Sequence, residues 1–235
     1  MSETPDRIAE NLSRINERID AAATMSGRTA RDVTLVVVTK YVGLEEARAV
    51  IAAGCRQLGE SRPQSLWQKT ESLSDPQVQW HLVGHLQRNK VRRTLPLVHL
   101  IHSVDSPRLL KAIDDEATQL GRRCAVLLEV NVSGDVEKQG LQPEELLPLV
   151  ERMPGYPHVE LRGLMTMASR TGGTDVARRN FAELRELRDR LRPSVPEGAS
   201  LDELSMGMSG DFEEAIREGA TIVRVGSAVF ERMTS

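Results

Sequence analysis

The apolar positions change rhythm along the chain, and each rhythm predicts an element. Over residues 4–26, Ile8, Leu12, Ile15 and Ile19 recur at spacings of four, three and four, which makes one stripe of an amphipathic helix. Thr4 suits its cap, Pro5 its first turn and Gly27 its end. The pattern then shortens. Residues 33–38 form a β-branched and apolar run too brief for a helix, and residues 44–53 are alanine-rich and closed by Gly54, so a strand is followed by a helix. The same alternation predicts further strands at 56–58, 78–83, 98–102, 124–130, 159–164, 201–205 and 221–225. Helices are expected between them at 62–74, 88–93, 107–120, 143–152, 175–191 and 212–218.

Strands that alternate with helices pair in parallel, because each crossover returns the chain to the same end of the sheet. Eight such units in about 200 residues predict an α/β fold, a single (β/α)8 TIM barrel with an extra N-terminal helix, read as one domain over residues 1–235. The competing open, doubly wound sheet favours a glycine-rich turn after its first strand. Here that strand ends Val38-Thr39-Lys40-Tyr41-Val42-Gly43, without such a turn.

Composition narrows the setting. With 40% hydrophobic residues and a net charge of -3, the chain has the means to build a core. No apolar stretch approaches the ~18 residues of a membrane span. The charged start argues against a secretory signal, and two cysteines, Cys55 and Cys124, read as reduced thiols, so a cytoplasmic protein is expected. The basic run Arg88-Asn-Lys90-Val-Arg92-Arg93 has no interleaved aromatics and reads as a solvated helix face, not a nucleic-acid site. His99 and His102, three apart, are not expected to share a strand face, which predicts no metal site and histidines satisfied by backbone.

In a barrel the chemistry sits where strands end. The first strand ends at Lys40, one of only five lysines beside 26 arginines. Partial burial at a barrel mouth would lower an amine's pKa and make it a nucleophile able to form a Schiff base. The second delivers Glu60, Ser61 and Arg62, the third carries His81, and the sixth ends in Met165. The seventh runs into Ser205-Met206-Gly207-Met208-Ser209-Gly210, which opens onto a helix, and the eighth carries Arg224 and ends Gly226-Ser227. Glycines, hydroxyls and free N–H groups at a helix start suit a phosphate. Asp211, Glu213 and Glu214 in that helix's first turn oppose an anion, and the plainer reading makes Ser209 a helix cap. An amine and a phosphate cradle together match the aldehyde and phosphate of pyridoxal 5′-phosphate. Strand alternation puts Arg224 on the same side as Gly226, where a permanently charged guanidinium would keep a neighbouring pyridine nitrogen unprotonated; the plainer alternative is a salt bridge bracing the barrel.

These residues resemble the pyridoxal-phosphate homeostasis proteins, also described as proline-synthetase co-transcribed homologues. The likeness spans nearly the whole chain. It rests on Val37-Val38-Thr39-Lys40, Leu58-Gly59-Glu60, the run from Trp80 to Lys90, Arg162-Gly163-Leu164-Met165, Leu204 to Ser209, Glu213 to Ile216 and Val223 to Ser227. The resemblance implies a barrel like the first domain of the alanine racemases, with pyridoxal phosphate covalently on Lys40. It also implies Arg224 at the ring nitrogen, Ser205, Met208, Ser209, Gly226 and Ser227 around the phosphate, and His81 and Met165 as lining residues. Ser61 departs from the family, which commonly has asparagine there.

Three activities fit. A carrier that buffers the cofactor and passes it to apo-enzymes, acting as a monomer in vitamin B6 and amino-acid homeostasis, is what the resemblance favours. A racemase needs a second acid/base group facing Lys40, and Tyr41, beside Lys40, and Tyr156, at the other barrel end, do not supply one. A cofactor-free Schiff-base aldolase would use the same lysine with a placed carboxylate, for which Glu60 is the candidate.

Overall fold

The computed structural model describes residues 3–134, 139–169 and 171–231; Lys138, in the loop after the fifth strand, lies outside them. The stripe of Ile8, Leu12, Ile15 and Ile19 is buried on one face of helix α1 (Glu3–Met25). Eight parallel strands then alternate with helices. They are β1 (Thr34–Val38), β2 (Gln57–Glu60), β3 (Gln79–Leu82), β4 (Leu100–Val104), β5 (Cys124–Glu129), β6 (Val159–Met165), β7 (Glu203–Ser205) and β8 (Ile222–Val225). They pair in sequence order, and β8 closes on β1 with Val36 opposite Arg224. The result is the expected (β/α)8 barrel with an added N-terminal helix.

The helices are α2 (Leu44–Ala52), α3 (Pro63–Ser72), α4 (Val91–Thr94), α5 (Pro107–Gln119), α6 (Pro143–Glu151), α7 (Gly173–Leu191), α8 (Phe212–Arg217) and α9 (Ser227–Phe230). Period-two alternation splits each strand between two cores. Outward residues such as Val37, Leu58, Val126 and Leu164 join the large cluster under the helices. Inward residues Val36, Leu100, Ala125, Leu127, Met165 and Ile222 fill the barrel itself. Each fully buried aliphatic side chain stabilises the fold by about 1.5–3 kcal/mol relative to exposure.

Helix α1 packs across α2, α8 and α9. Its buried Asn11 donates to the carbonyls of Val229 and Glu231, at 3.0 and 3.1 Å, so the extra helix holds the short α9 in place. That four-residue helix carried no periodic signal. No helix among the described residues is long and apolar enough to cross a membrane.

Candidate functional site

The C-terminal strand ends open onto a cavity of about 670 Å³. Six of the nine residues singled out from the sequence line it: Lys40, Met208, Ser209, Arg224, Gly226 and Ser227. The other three, Ser205, His81 and Met165, are buried below it and are not in its lining. Met165 packs inside the barrel, and Met167, two residues on, lines the cavity in its place.

Lys40 does not have the partial burial expected of it. Its side chain is exposed, with Nζ 4.8 Å from the ring centroid of Tyr41. The backbone before it is tightly held. Thr39 donates its N–H to the Gly59 carbonyl at 2.9 Å and its hydroxyl to Glu60 Oε1 at 2.7 Å. Lys69 donates to the Thr39 carbonyl at 2.6 Å and pairs with Glu60 Oε1 at 2.5 Å. Glu60 therefore faces α3, outside the barrel, which removes it as the carboxylate of an aldolase.

At the other side of the cavity the loop after β7 meets the start of α9. Ser209 caps α9 instead of α8, its Oγ accepting from the N–H groups of Gly226 at 3.2 Å and Ala228 at 3.4 Å. The N–H groups of Ser209, Gly210 and Ser227 make no hydrogen bond among the described residues. The two glutamates that opposed an anion turn elsewhere: Glu213 pairs with Arg18 at 2.9 Å and Glu214 with Arg217. Asp211 accepts from the Met208 N–H at 2.6 Å, and burial raises its pKa against that hydrogen bond and the attraction of Arg224. Gly226 packs closely, since a Cβ there would stand 3.1 Å from the Val38 carbonyl.

Arg224 forms the floor. Its Nη1 donates to Ser205 Oγ at 2.6 Å and its Nη2 to the Thr166 carbonyl at 2.9 Å, and these neutral acceptors, among the described residues, stand where the plainer reading expected a salt bridge. Burial lowers its pKa to about 10, opposed by Glu129 and Asp211, which leaves it cationic at neutral pH. Glu129 was not singled out from the sequence, although it ends the inward series Ala125, Leu127, Glu129. Burial, then the nearby Asp105, raises its pKa to about 7 against the attraction of Arg224.

The histidines also differ from expectation. His81 lies opposite Leu100, between the two, and both His99, just ahead of β4, and His102, within it, approach His81, with ring centroids 5.7 and 5.1 Å away. His102 is satisfied by side chains, not backbone. No cluster of metal ligands occurs among the described residues.

Residues 6–232 match the family described as alanine racemase, N-terminal domain. A pyridoxal phosphate homeostasis protein of Aquifex aeolicus is 41% identical over 221 residues, covering 94% of this chain and 96% of that one. Its counterpart in Pseudomonas aeruginosa is 38% identical over 223 residues, covering 95% and 94%. Among solved structures, PipY of Synechococcus elongatus with PLP bound superposes with a TM-score of 0.83 at 34% identity, covering 95% of this chain and all 100% of that one. An alanine racemase of Clostridium difficile shares the fold at a TM-score of 0.76 and 15% identity, and this chain covers 58% of it. With a family match over nearly its full length and relatives this similar, the chain belongs to the pyridoxal phosphate homeostasis proteins of the alanine racemase N-terminal domain family.

Proposed function

We propose that this chain, as a single barrel domain over residues 1–235, binds pyridoxal 5′-phosphate and serves as a cytoplasmic carrier and buffer in vitamin B6 and amino-acid homeostasis. One observation carries the reading: an exposed amine, a set of N–H groups without a partner among the described residues and a buried guanidinium line the same cavity.

Lys40 supplies the amine for the cofactor's aldehyde, held at a defined place because Thr39 is anchored on both sides of its peptide. The N–H groups of Ser209, Gly210 and Ser227, with the Ser209 and Ser227 hydroxyls, hold the phosphate at the start of α9. Met208 closes its edge. Arg224 can only donate, so a pyridine nitrogen set against it must accept and stay unprotonated. Bound there, the cofactor supplies an electrophilic aldehyde with a ring weakened as an electron sink, which suits carriage better than rapid carbanion chemistry. Ser205, His81 and Met165 serve from below, as support for the floor.

The carrier reading is favoured over a racemase by the cavity's own lining. Tyr41 stacks with the Lys40 amine on the same side, and the carboxylate of the lining, Glu231, follows α9 at the rim. The recipients are proposed to be apo-enzymes that use the cofactor, and the carrier a monomer.

Absorbance with borohydride reduction and intact-mass analysis tests the reading. The wild-type chain is expected to turn yellow with pyridoxal phosphate and to retain one cofactor mass after reduction, whereas Lys40→Ala, with an unchanged melting temperature, retains none. An adduct of equal yield on the Lys40→Ala chain would refute the assignment of the amine.

A further inference from the structure

Two imidazoles lie buried in the interior of the barrel, and neither is in the lining of the cavity. His81 is 2% exposed and His102 not at all. They form part of a continuous hydrogen-bonded series. Gln57 Oε1 meets His81 Nε2 at 2.7 Å, His81 Nδ1 meets His102 Nε2 at 2.8 Å, and His102 Nδ1 meets Ser205 Oγ at 2.8 Å. The series ends on Arg224, whose Nη1 donates to the same Ser205 oxygen at 2.6 Å.

The two ends assign the protons independently. At the lower end, the Gln57 amide nitrogen donates to Gln79 Oε1 at 2.8 Å, so its oxygen is left to accept and His81 must carry its proton on Nε2. At the upper end, Ser205 is fully buried and already accepts from Arg224; among the described residues, the acceptor within reach of its own proton is His102 Nδ1. Both arguments place every proton pointing the same way: Ser205 to His102, His102 to His81, His81 to Gln57. Such an aligned series strengthens each member by polarisation. Burial, then His99 and Arg162, lowers the pKa of His81 to about 3. Burial, then His81, Arg224 and His99, puts that of His102 well below its ordinary value. Both rings therefore stay neutral and able to accept on one side while donating on the other.

We propose that His102, backed by His81, is a positioning residue for Arg224: by accepting a hydrogen bond from the Ser205 hydroxyl it turns the serine's lone pairs toward the guanidinium and fixes that group in the cavity floor. The inference rests on the proposed binding of pyridoxal phosphate, with Arg224 against the ring. A serine with a freely turning hydroxyl would offer the guanidinium a proton as readily as a lone pair. Arg224 would then keep a single fixed acceptor, the Thr166 carbonyl, and could swing about it.

Two measurements decide it. Nitrogen-15 and proton NMR of the histidine side chains, on the chain without cofactor at pH 7, should show two buried neutral rings, both carrying the proton on Nε2. Titration of His102→Leu with pyridoxal phosphate should give a shifted visible band and about tenfold weaker binding, the equivalent of one lost buried hydrogen bond. His102→Gln should restore both, because its amide can donate to His81 and accept from Ser205. Ser205→Ala should reproduce the His102→Leu band if that variant fails to fold. A ring protonated at pH 7 or carrying its proton on Nδ1, or a His102→Leu spectrum and affinity equal to wild type, would overturn the proposal. If the wild-type chain takes up no pyridoxal phosphate, the proposed function fails, and the histidine spectra still decide the relay by themselves.

Discussion

Ser209, in the loop after β7, and Gly226, at the end of β8, are joined by a hydrogen bond of 3.2 Å from the glycine N–H to the serine hydroxyl. One side chain thus ties the two loops that build the anion cradle, and it also receives the Ala228 N–H at the start of α9.

Ser209→Ala leaves both N–H groups without their acceptor. Loss of a helix cap costs about 1 kcal/mol, and the same amount in cofactor binding is about fivefold in affinity. Both effects are expected, a lower urea midpoint in the unloaded chain and weaker retention of pyridoxal phosphate on dialysis. A variant that melts like wild type and holds the cofactor equally well would show that the hydroxyl ties nothing.

The glycines of the cradle differ in what they tolerate. Gly207 has φ +90, and a Cβ there would stand 2.6 Å from that of Ala215 and 2.9 Å from the Phe212 backbone. Gly207→Ala is expected to destabilise the chain by about 2 kcal/mol or more, combining a left-handed backbone with overpacking. Gly210 has open space around its missing Cβ, so Gly210→Ala should unfold within about 0.5 kcal/mol of wild type. Chemical denaturation of the pair provides its own control.

The Lys69 to Glu60 pair lies under α3 with side chains 8% and 0% exposed, and Glu60 Oε2 already lacks a partner among the described residues. Removing the lysine strands a buried charge and frees the Thr39 carbonyl. Lys69→Met is expected to cost about 3–5 kcal/mol, and Lys69→Met with Glu60→Gln distinctly less. Equilibrium unfolding of the two variants separates these outcomes; equal losses would mean that packing, not charge, dominates. Amide exchange at the backbone around Lys40 should accelerate in the single variant.

Glu129 makes stability depend on pH in a direction opposite to most carboxylates. Its pKa rises from the ordinary 4.5 to about 7 on folding, through burial. The folded chain therefore binds more protons than the unfolded one between those values, so this group's contribution is full below pH 4.5 and is lost as the pH rises through 7. Relative to wild type, Glu129→Gln should gain about 3 kcal/mol at pH 8 over its difference at pH 4. A difference that is flat across this range would place the carboxylate in water.

Much of this was legible beforehand, for identifiable reasons. The buried stripe of α1 and the eight apolar runs follow from period and length, properties local to each segment. Lys40, Ser209, Arg224 and Gly226 could be placed at one end of the barrel because parallel strands all finish on the same side. Glu129 falls under the same alternation, as the last inward residue of β5.

Other features depend on neighbours that the sequence does not bring together. Glu60 reads as a mouth residue, yet a single step of strand alternation turns it outward onto Lys69. His99 and His102 should face apart, yet both meet His81, because β3 sets that residue opposite Leu100 and His99 lies ahead of β4, outside its alternation. Ser209 sits just ahead of α8 and caps α9 instead, because β7 and β8 lie side by side. The order of elements, the closed parallel barrel and the residues at its rim were therefore settled by the chain's own periodicity. The partners of buried polar groups were settled by packing, since a hydroxyl, imidazole or carboxylate removed from water bonds to whatever group the fold sets within about 3 Å, however far away in sequence.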